Sequence, residues 1–207
     1  MQTIVIPSGM LGVNTYFVKD DSTGKGFIVD PGGWNVQMKD QVLKMDLDPQ
    51  FIILTHGHAD HIMGIEDLKR DFPDTKIVAN ENEREMLADT GFNMSSQFGL
   101  PSSIDADLWV KGGDHLMVGD LDLEFIYTPG HSPGGMCIYI ADEGILFSGD
   151  TLFRASIGRT DFPGCSFPEL ERSIHEKLWI LPDDTRVYPG HMDATTIGFE
   201  KEHNPFV

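Results

Sequence analysis

The chain has little cysteine, little positive charge and no long apolar run. Only two of its 207 residues are cysteines, Cys137 and Cys165, and no CxxC spacing joins them. Neither a disulfide framework nor a zinc ribbon is therefore available to hold the fold, and free thiols in a reducing compartment are expected. Cys137 sits in an apolar run and reads as core; Cys165 sits in a loop with nothing beside it that marks a nucleophile. The 15 lysines and arginines face 33 aspartates and glutamates, for a formal net charge of −18. Such a chain repels a phosphate backbone, so no nucleic-acid partner is expected. No stretch approaches the roughly 18 consecutive apolar residues of a membrane span. The opening Met-Gln-Thr-Ile-Val-Ile-Pro has neither the basic start nor the apolar middle of a secretory signal. The expectation is a cytoplasmic protein with no membrane partner.

The size and apolar content suit one globular domain over residues 1–207, large enough to bury on the order of 70% of its unfolded surface without covalent staples. Strands are predicted at Thr3–Ile6, Thr15–Lys19, Gly26–Asp30, Phe51–Leu54 and Ile77–Ala79, then at Leu116–Val118, Asp122–Tyr127, Met136–Ala141, Gly144–Ser148 and Arg186–Tyr188. Phe51–Leu54 is apolar throughout, the pattern of a strand covered on both faces. Helical spacing marks Asn35–Met45, Ile62–Phe72, Asn80–Ala88 with Asn80 as its cap, and Phe167–Leu178, and Thr195–His203 reads as a closing helix or turn. Asp89–Ala106 has weak periodicity and reads as a long loop, either a lid or a partner surface. Strands come in runs with helices appended, which points to an α+β fold with largely antiparallel sheets. Nothing in the sequence marks an oligomer interface.

The chemistry concentrates in Thr55-His56-Gly57-His58-Ala59-Asp60-His61, directly after the buried strand. Residues i and i+2 at the end of an extended strand project the same way, so His56 and His58 can grip one metal. Where the chain turns into the next helix, Asp60 and His61 point elsewhere and can grip a second. Small Gly57 and Ala59 let the backbone turn tightly. Imidazole and carboxylate donors suit zinc, iron or manganese. Three more candidates each follow a predicted strand and a glycine: His131 after Gly130, Asp150 after Gly149, and His191 after Gly190. His115, His175 and His203 lie outside these motifs and read as structural or solvated.

Thr55–His61, Pro129-Gly130-His131-Ser132-Pro133-Gly134-Gly135, Ser148-Gly149-Asp150-Thr151-Leu152-Phe153 and Pro189-Gly190-His191, in this order, resemble the metallo-β-lactamase superfamily. The resemblance implies an αβ/βα four-layer sandwich, two mixed β-sheets flanked by helices, with two divalent transition metal ions at one edge between the sheets. It implies that His56, His58 and His131 hold the first metal, that Asp60, His61 and His191 hold the second, and that Asp150 bridges them. Asp30 is similar to an early aspartate that supports the ligand shell from behind; it is equally a turn-former before Pro31.

Gly149–Phe153, Gly158–Phe162 and the end Phe199–Phe206 are similar to the glyoxalase II group, closest to its short bacterial members. That resemblance implies a hydrolase of small-molecule thioesters such as S-D-lactoylglutathione. Metal-activated hydroxide would be the nucleophile, and Asp60 would orient it as well as bind metal. Arg159 falls where the group carries a basic residue that contacts glutathione; otherwise it is an ion-paired surface arginine. The group's glutathione-binding tyrosines are replaced by Asp161 and Asp193, and a helical C-terminal extension has no counterpart before Val207. Another small ester or a lactone is therefore also a candidate substrate. Gly158–Phe162 resembles persulfide dioxygenases of the same fold too, in which one iron would sit on His56, His131 and Asp150.

Overall fold

The computed structural model describes residues 1–207. Strands β1 (Gln2–Ser8), β2 (Val13–Lys19), β3 (Lys25–Val29), β4 (Asp48–Ile53), β5 (Lys76–Asn80) and β6 (Leu108–Val110) form one sheet in that order. A second sheet has β7 (His115–Val118), β8 (Leu121–Tyr127), β9 (Met136–Ile140) and β10 (Ile145–Gly149) side by side. A short ribbon of β11 (Leu152–Phe153) and β12 (Ser156–Ile157) follows, and β13 (Arg186–Pro189) and β14 (Thr195–Thr196) complete the second sheet beyond β10. Helices α1 (Val36–Met45), α2 (Ala59–Ile62), α3 (Ile65–Asp71) and α4 (Arg84–Ala88) belong to the first half. Helices α5 (Phe167–Ser173) and α6 (Ile197–His203) belong to the second.

The sheets face each other, and alternation along each strand decides which side chains meet. In β2 and β3, Tyr16, Val18, Phe27 and Val29 point inward and pack against Phe125, Ile138, Ile140 and Phe147 of the second sheet. The intervening Phe17 and Ile28 point outward onto Met38, Val42 and Met45 of α1 and onto Ile62, Ile65 and Leu68. Likewise Met136, Ile138 and Ile140 face the inner core, while Cys137 and Tyr139 meet Leu170 of α5, Ile174, Leu178 and Ile197. Period-2 strands that are apolar on both faces thus give helix, sheet, sheet and helix layers. This is the four-layer sandwich with two mixed sheets that the motifs implied.

The largely antiparallel pattern holds for the second sheet only in part, since β10 and β13 are parallel, and it fails for half of the first. There β3, β4, β5 and β6 are all parallel, because α1, α3 and α4 are crossovers that return the chain to the same end. Side chains cap the helices: Asn35 accepts from Met38 N at 3.1 Å, and Thr196 Oγ1 from Phe199 N at 3.2 Å. Asn80 starts its turn by accepting from Asn82 N at 3.0 Å. The segment after α4 is irregular apart from one turn at Ser95–Phe98.

The helix expected over Ile62–Phe72 starts only at Ile65, as α3, and is separated at Met63 and Gly64 from α2, which ends at Ile62. The break has a tertiary cause. Gly64 lies against the turn after β3, where its N–H donates to Pro31 O at 2.8 Å and an added Cβ would stand 2.5 Å from the Gly33 carbonyl carbon. In the same turn, a Cβ on Gly32 would meet Asp60 O at 1.8 Å. This contact locks the β3 turn onto the histidine-bearing segment. Gly64→Ala is expected to lower stability by ~1–3 kcal/mol, the usual range for forcing volume into a packed contact. Its denaturant midpoint should fall at unchanged slope, and a wild-type midpoint would contradict the contact.

Candidate functional site

Four strand ends deliver the clustered side chains. The first histidine segment follows β4 of the first sheet, whereas His131, Asp150 and His191 follow β8, β10 and β13 of the second. Because β9 is antiparallel to both β8 and β10, and β10 is parallel to β13, these three strands run in one direction and open at the same edge. Two backbone bonds tie the ends together. Met136 N donates to Thr55 O at 2.9 Å across the sheets, and Gly190 N donates to Gly149 O at 2.8 Å. Glycine is required here: a Cβ on Gly190 would lie 2.3 Å from Asp150 Oδ1, and Gly149 has φ +51 against Thr55.

All seven expected side chains meet at this edge. The donor atoms of His56, His58 and His131 lie within 4.8 Å of one another; so do those of His56, His61 and Asp150, and those of Asp60, His61 and His191. His58 Nδ1 stands 2.9 Å from His131 Nε2, and His191 Nε2 is 3.1 Å from Asp60 Oδ2. Asp150 lies between the two groups, with Oδ2 3.5 Å from His131 Nε2 and Oδ1 3.4 Å from His61 Nε2. The five imidazoles share rings as close as 4.0 Å, centre to centre, at His56 and His61.

The electrostatics are those of a donor set built around positive charge. Burial, with neighbouring His61 and His131, holds His56 far below the ordinary imidazole range. Burial and His131 likewise bring His58 down to about 3. Both are thus neutral donors at physiological pH. Burial alone would also lower His61, but Asp60, Asp30 and Asp150 converge on it and raise it well above its usual range. Burial opposes ionisation of Asp150, yet the charge of His61 and its neighbours keeps it anionic. The Nε2 atoms of His56 and His61 and the Oδ1 atom of Asp150 are buried with no hydrogen-bond partner. Buried polar atoms are rarely left unpaired. Neutral His56 and His58, anionic Asp150 and unpaired buried atoms grouped within 4.8 Å of one another fit transition cations.

A surrounding layer fixes the donors. Asp30, buried with φ 48, accepts from Thr55 N at 2.8 Å, from Thr55 Oγ1 at 2.6 Å and from His61 Nδ1 at 2.9 Å. His131 Nδ1 lies 2.8 Å from the Arg159 carbonyl oxygen. The Arg159 side chain is exposed at the cleft wall and ion-paired to Asp161, with Nε at 2.9 Å and Nη2 at 2.7 Å from its two carboxylate oxygens. The cleft above the cluster has a volume of about 360 Å³. Asp60, Asp150 and His191 form part of its floor, with Phe98, Phe153 and Phe162 among its walls. The other histidines stand apart: His115 bonds Asp122 at the surface, and His203 stacks on Phe199.

Glu83 escapes a reading of motifs. It is buried between the two histidine loops, where Oε1 accepts Gly57 N at 3.2 Å and Oε2 accepts Gly134 N at 3.1 Å. Among Glu81, Glu83 and Glu85 only this one shares a helical face with buried Met86 and Leu87, at i+3 and i+4. That spacing is the signal that finds it.

Burial pushes the Glu83 carboxyl up to about 7, against the pull of Ser132 and the two amides. A carboxyl raised on folding binds more protons in the native than in the unfolded state. Its contribution therefore declines as pH rises from the unfolded value of ~4.5 through ~7, by up to ~3 kcal/mol. The stability of the wild type relative to Glu83→Gln should fall by that order between pH 4.5 and pH 7.5 in paired denaturant titrations. A pH-independent difference would contradict a carboxyl strained by burial.

A fold of two facing mixed sheets with a histidine and carboxylate cluster at one edge defines a metal-dependent enzyme class, and the comparisons agree with it. Residues 8–191 match the model of the Metallo-beta-lactamase superfamily. The chain is 35% identical over 211 residues to hydroxyacylglutathione hydrolase GloC of Haemophilus influenzae, covering 100% of this chain and 98% of that protein. It is similar to the crystal structure of BLEG-1, a B3 metallo-beta-lactamase, with TM-score 0.92, 38% identity and 99% of each chain covered. It is also similar to the di-iron-bound form of TTHA1623, with TM-score 0.86, 30% identity, and 99% of this chain and 100% of that one covered. The chain belongs to the metallo-β-lactamase superfamily, as a hydrolase with a histidine-rich potential metal site.

Proposed function

We propose that this chain is a thioester hydrolase that works with two bound transition cations and takes acyl thioesters of the S-D-lactoylglutathione type. The observation that carries the reading is the pair of donor groups joined by Asp150 at the floor of one cleft. His56, His58 and His131 would hold one cation, Asp60, His61 and His191 the other, and Asp150 would touch both. Zinc suits these donors, and iron suits them as well; the similar TTHA1623 chain was solved with two irons. Two such cations, when bound, lower the pKa of water from about 15.7 to near 7 and polarise an acyl carbonyl.

The chain's own groups supply the rest. Asp60, at the cleft floor 3.1 Å from His191 Nε2, orients the attacking water as well as offering a donor to the second cation. Asp30 and Thr55 hold His61 and His56 by their far nitrogens, at 2.9 and 3.1 Å, so that the near nitrogens face the cluster. Apolar walls keep bulk water away from the acyl carbon. A thiolate leaves readily, and the cleft accordingly presents no lysine or tyrosine as a general acid for a poorer leaving group. The named activity of GloC supports this substrate class.

The test is S-D-lactoylglutathione hydrolysis by protein of measured metal content. About two metals per chain and turnover abolished in His58→Ala are expected. A single iron per chain, no hydrolysis, and oxygen uptake with glutathione persulfide would overturn the reading in favour of an oxygenase. Asp30→Ala should lower metal affinity ~10–100-fold, the usual effect of removing a group that orients a ligand. Competition with a chromophoric chelator measures this directly, and unchanged affinity would remove Asp30 from the site.

A further inference from the structure

His191 is the least sheltered of the clustered donors. Its side chain is 23% exposed, against 0% for His61 and 7% for His131. The Nδ1 atoms of His56, His61 and His131 lie 3.1, 2.9 and 2.8 Å from Thr55 Oγ1, Asp30 Oδ2 and the Arg159 carbonyl oxygen. His191 has no such support behind its ring. Its hydrogen-bond contact is on the cluster side, from Nε2 to Asp60, and the rings of His61 and Phe153 flank it edge-on with centres 5.5 and 6.2 Å away. The direction of this imidazole therefore depends on its backbone.

That backbone is gripped from the opposite sheet by Asn14, the second residue of β2. The Asn14 N–H donates to Gly190 O at 2.7 Å. Its side-chain Nδ2 donates to Pro189 O at 3.0 Å and to Met192 O at 2.8 Å. Both side-chain partners are carbonyl oxygens, so only the amide nitrogen can face them. The three acceptors stand immediately before and after His191, which Asn14 thus brackets. Met192 has φ 68, left-handed backbone that a methionine keeps only where its surroundings hold it; the Asn14 amide is such a hold. Next along β2, Thr15 Oγ1 donates to Asp30 O at 2.9 Å, and Asp30 in turn holds His61. None of the Asn14 hydrogen bonds reaches the His56–His58 or His131 loops, which Glu83 straps together instead.

We propose that Asn14 is the positioning residue of the second cation. By bracketing His191 it sets the affinity of the Asp60, His61 and His191 group and leaves the His56, His58 and His131 group unaffected. This rests on the two-cation reading and assigns one half of that site its own support, so that Asn14 decides whether the chain holds one cation or two when metal is scarce.

The experiment removes zinc stepwise from the zinc-loaded full chain with a chromophoric chelator, in wild type, Asn14→Ala and Thr75→Ala. The last variant loses a comparable side-chain bond, Thr75 Oγ1 to Pro49 O at 2.9 Å, at the far end of β4, and serves as the control for a general loss of stability. Asn14→Ala should weaken one step about tenfold, the lower end of the loss when an outer support of a ligand is removed. Its other step, and both steps of Thr75→Ala, should match the wild type. Anomalous peak heights from Asn14→Ala crystals at limiting zinc should fall among Asp60, His61 and His191 and persist among His56, His58 and His131. Should Asn14→Ala not fold, Asn14→Ser, which keeps one short donor, takes its place with the same expected direction. Unchanged steps, both steps weakened alike, or the loss of the other peak overturns the inference and leaves the two-cation reading standing. A wild type that holds a single zinc overturns both.

Discussion

Burial of five imidazoles and three carboxylates around one point is the constraint on which the rest of the molecule depends. Charged groups are expensive to remove from water unless they are paired, and this set pairs off only in part, through His61 with Asp30 and His191 with Asp60. His56 and His58 are driven neutral, Asp150 is held anionic, and orphaned nitrogen and oxygen atoms point inward with no hydrogen to share. His61, caught among Asp30, Asp60 and Asp150, marks where positive charge is wanted. On the proposed reading two cations meet that demand, and their binding free energy adds to the free energy of folding.

The architecture follows from having to assemble that cluster. One histidine segment comes from the first sheet and three donors from the second, so the sheets must hold a fixed spacing and register. The inner core does this, with Phe27 and Tyr16 set edge-on against Phe147 at 6.1 and 5.1 Å. The glycines at Gly32, Gly64 and Gly190 let backbone segments approach more closely than a Cβ allows. Glu83 adds a direct strap between the two histidine loops. Above the cluster the demand changes: the walls are largely apolar, with Phe98, Phe153 and Phe162 among them, so the reactive floor is flanked by surface that excludes water.

The sequence made the cluster legible because its spacing is local. Three histidines and an aspartate within six positions, and three glycines each preceding a donor, need no knowledge of the fold. The covered strands were equally plain, since Met136–Ile140 is apolar on both faces and must lie between two layers. What stayed hidden depends on contacts between distant segments. Gly64 breaks a helix only because the β3 turn presses on it. β6 comprises three residues after an irregular stretch, and β11 and β12 have two residues each, too short for any period to register. Glu83 is one glutamate among several until its helical face is traced. Arg159 read either as a substrate contact or as an ion-paired surface arginine; that Asp161 is its partner is a property of the turn, not of either residue type.

Anomalous diffraction from crystals of the metal-loaded protein tests the central claim most directly. Two peaks are expected, one among His56, His58 and His131 and one among Asp60, His61 and His191, each with an Asp150 oxygen beside it. A single peak, or peaks away from these side chains, would contradict a cluster built for a pair of cations.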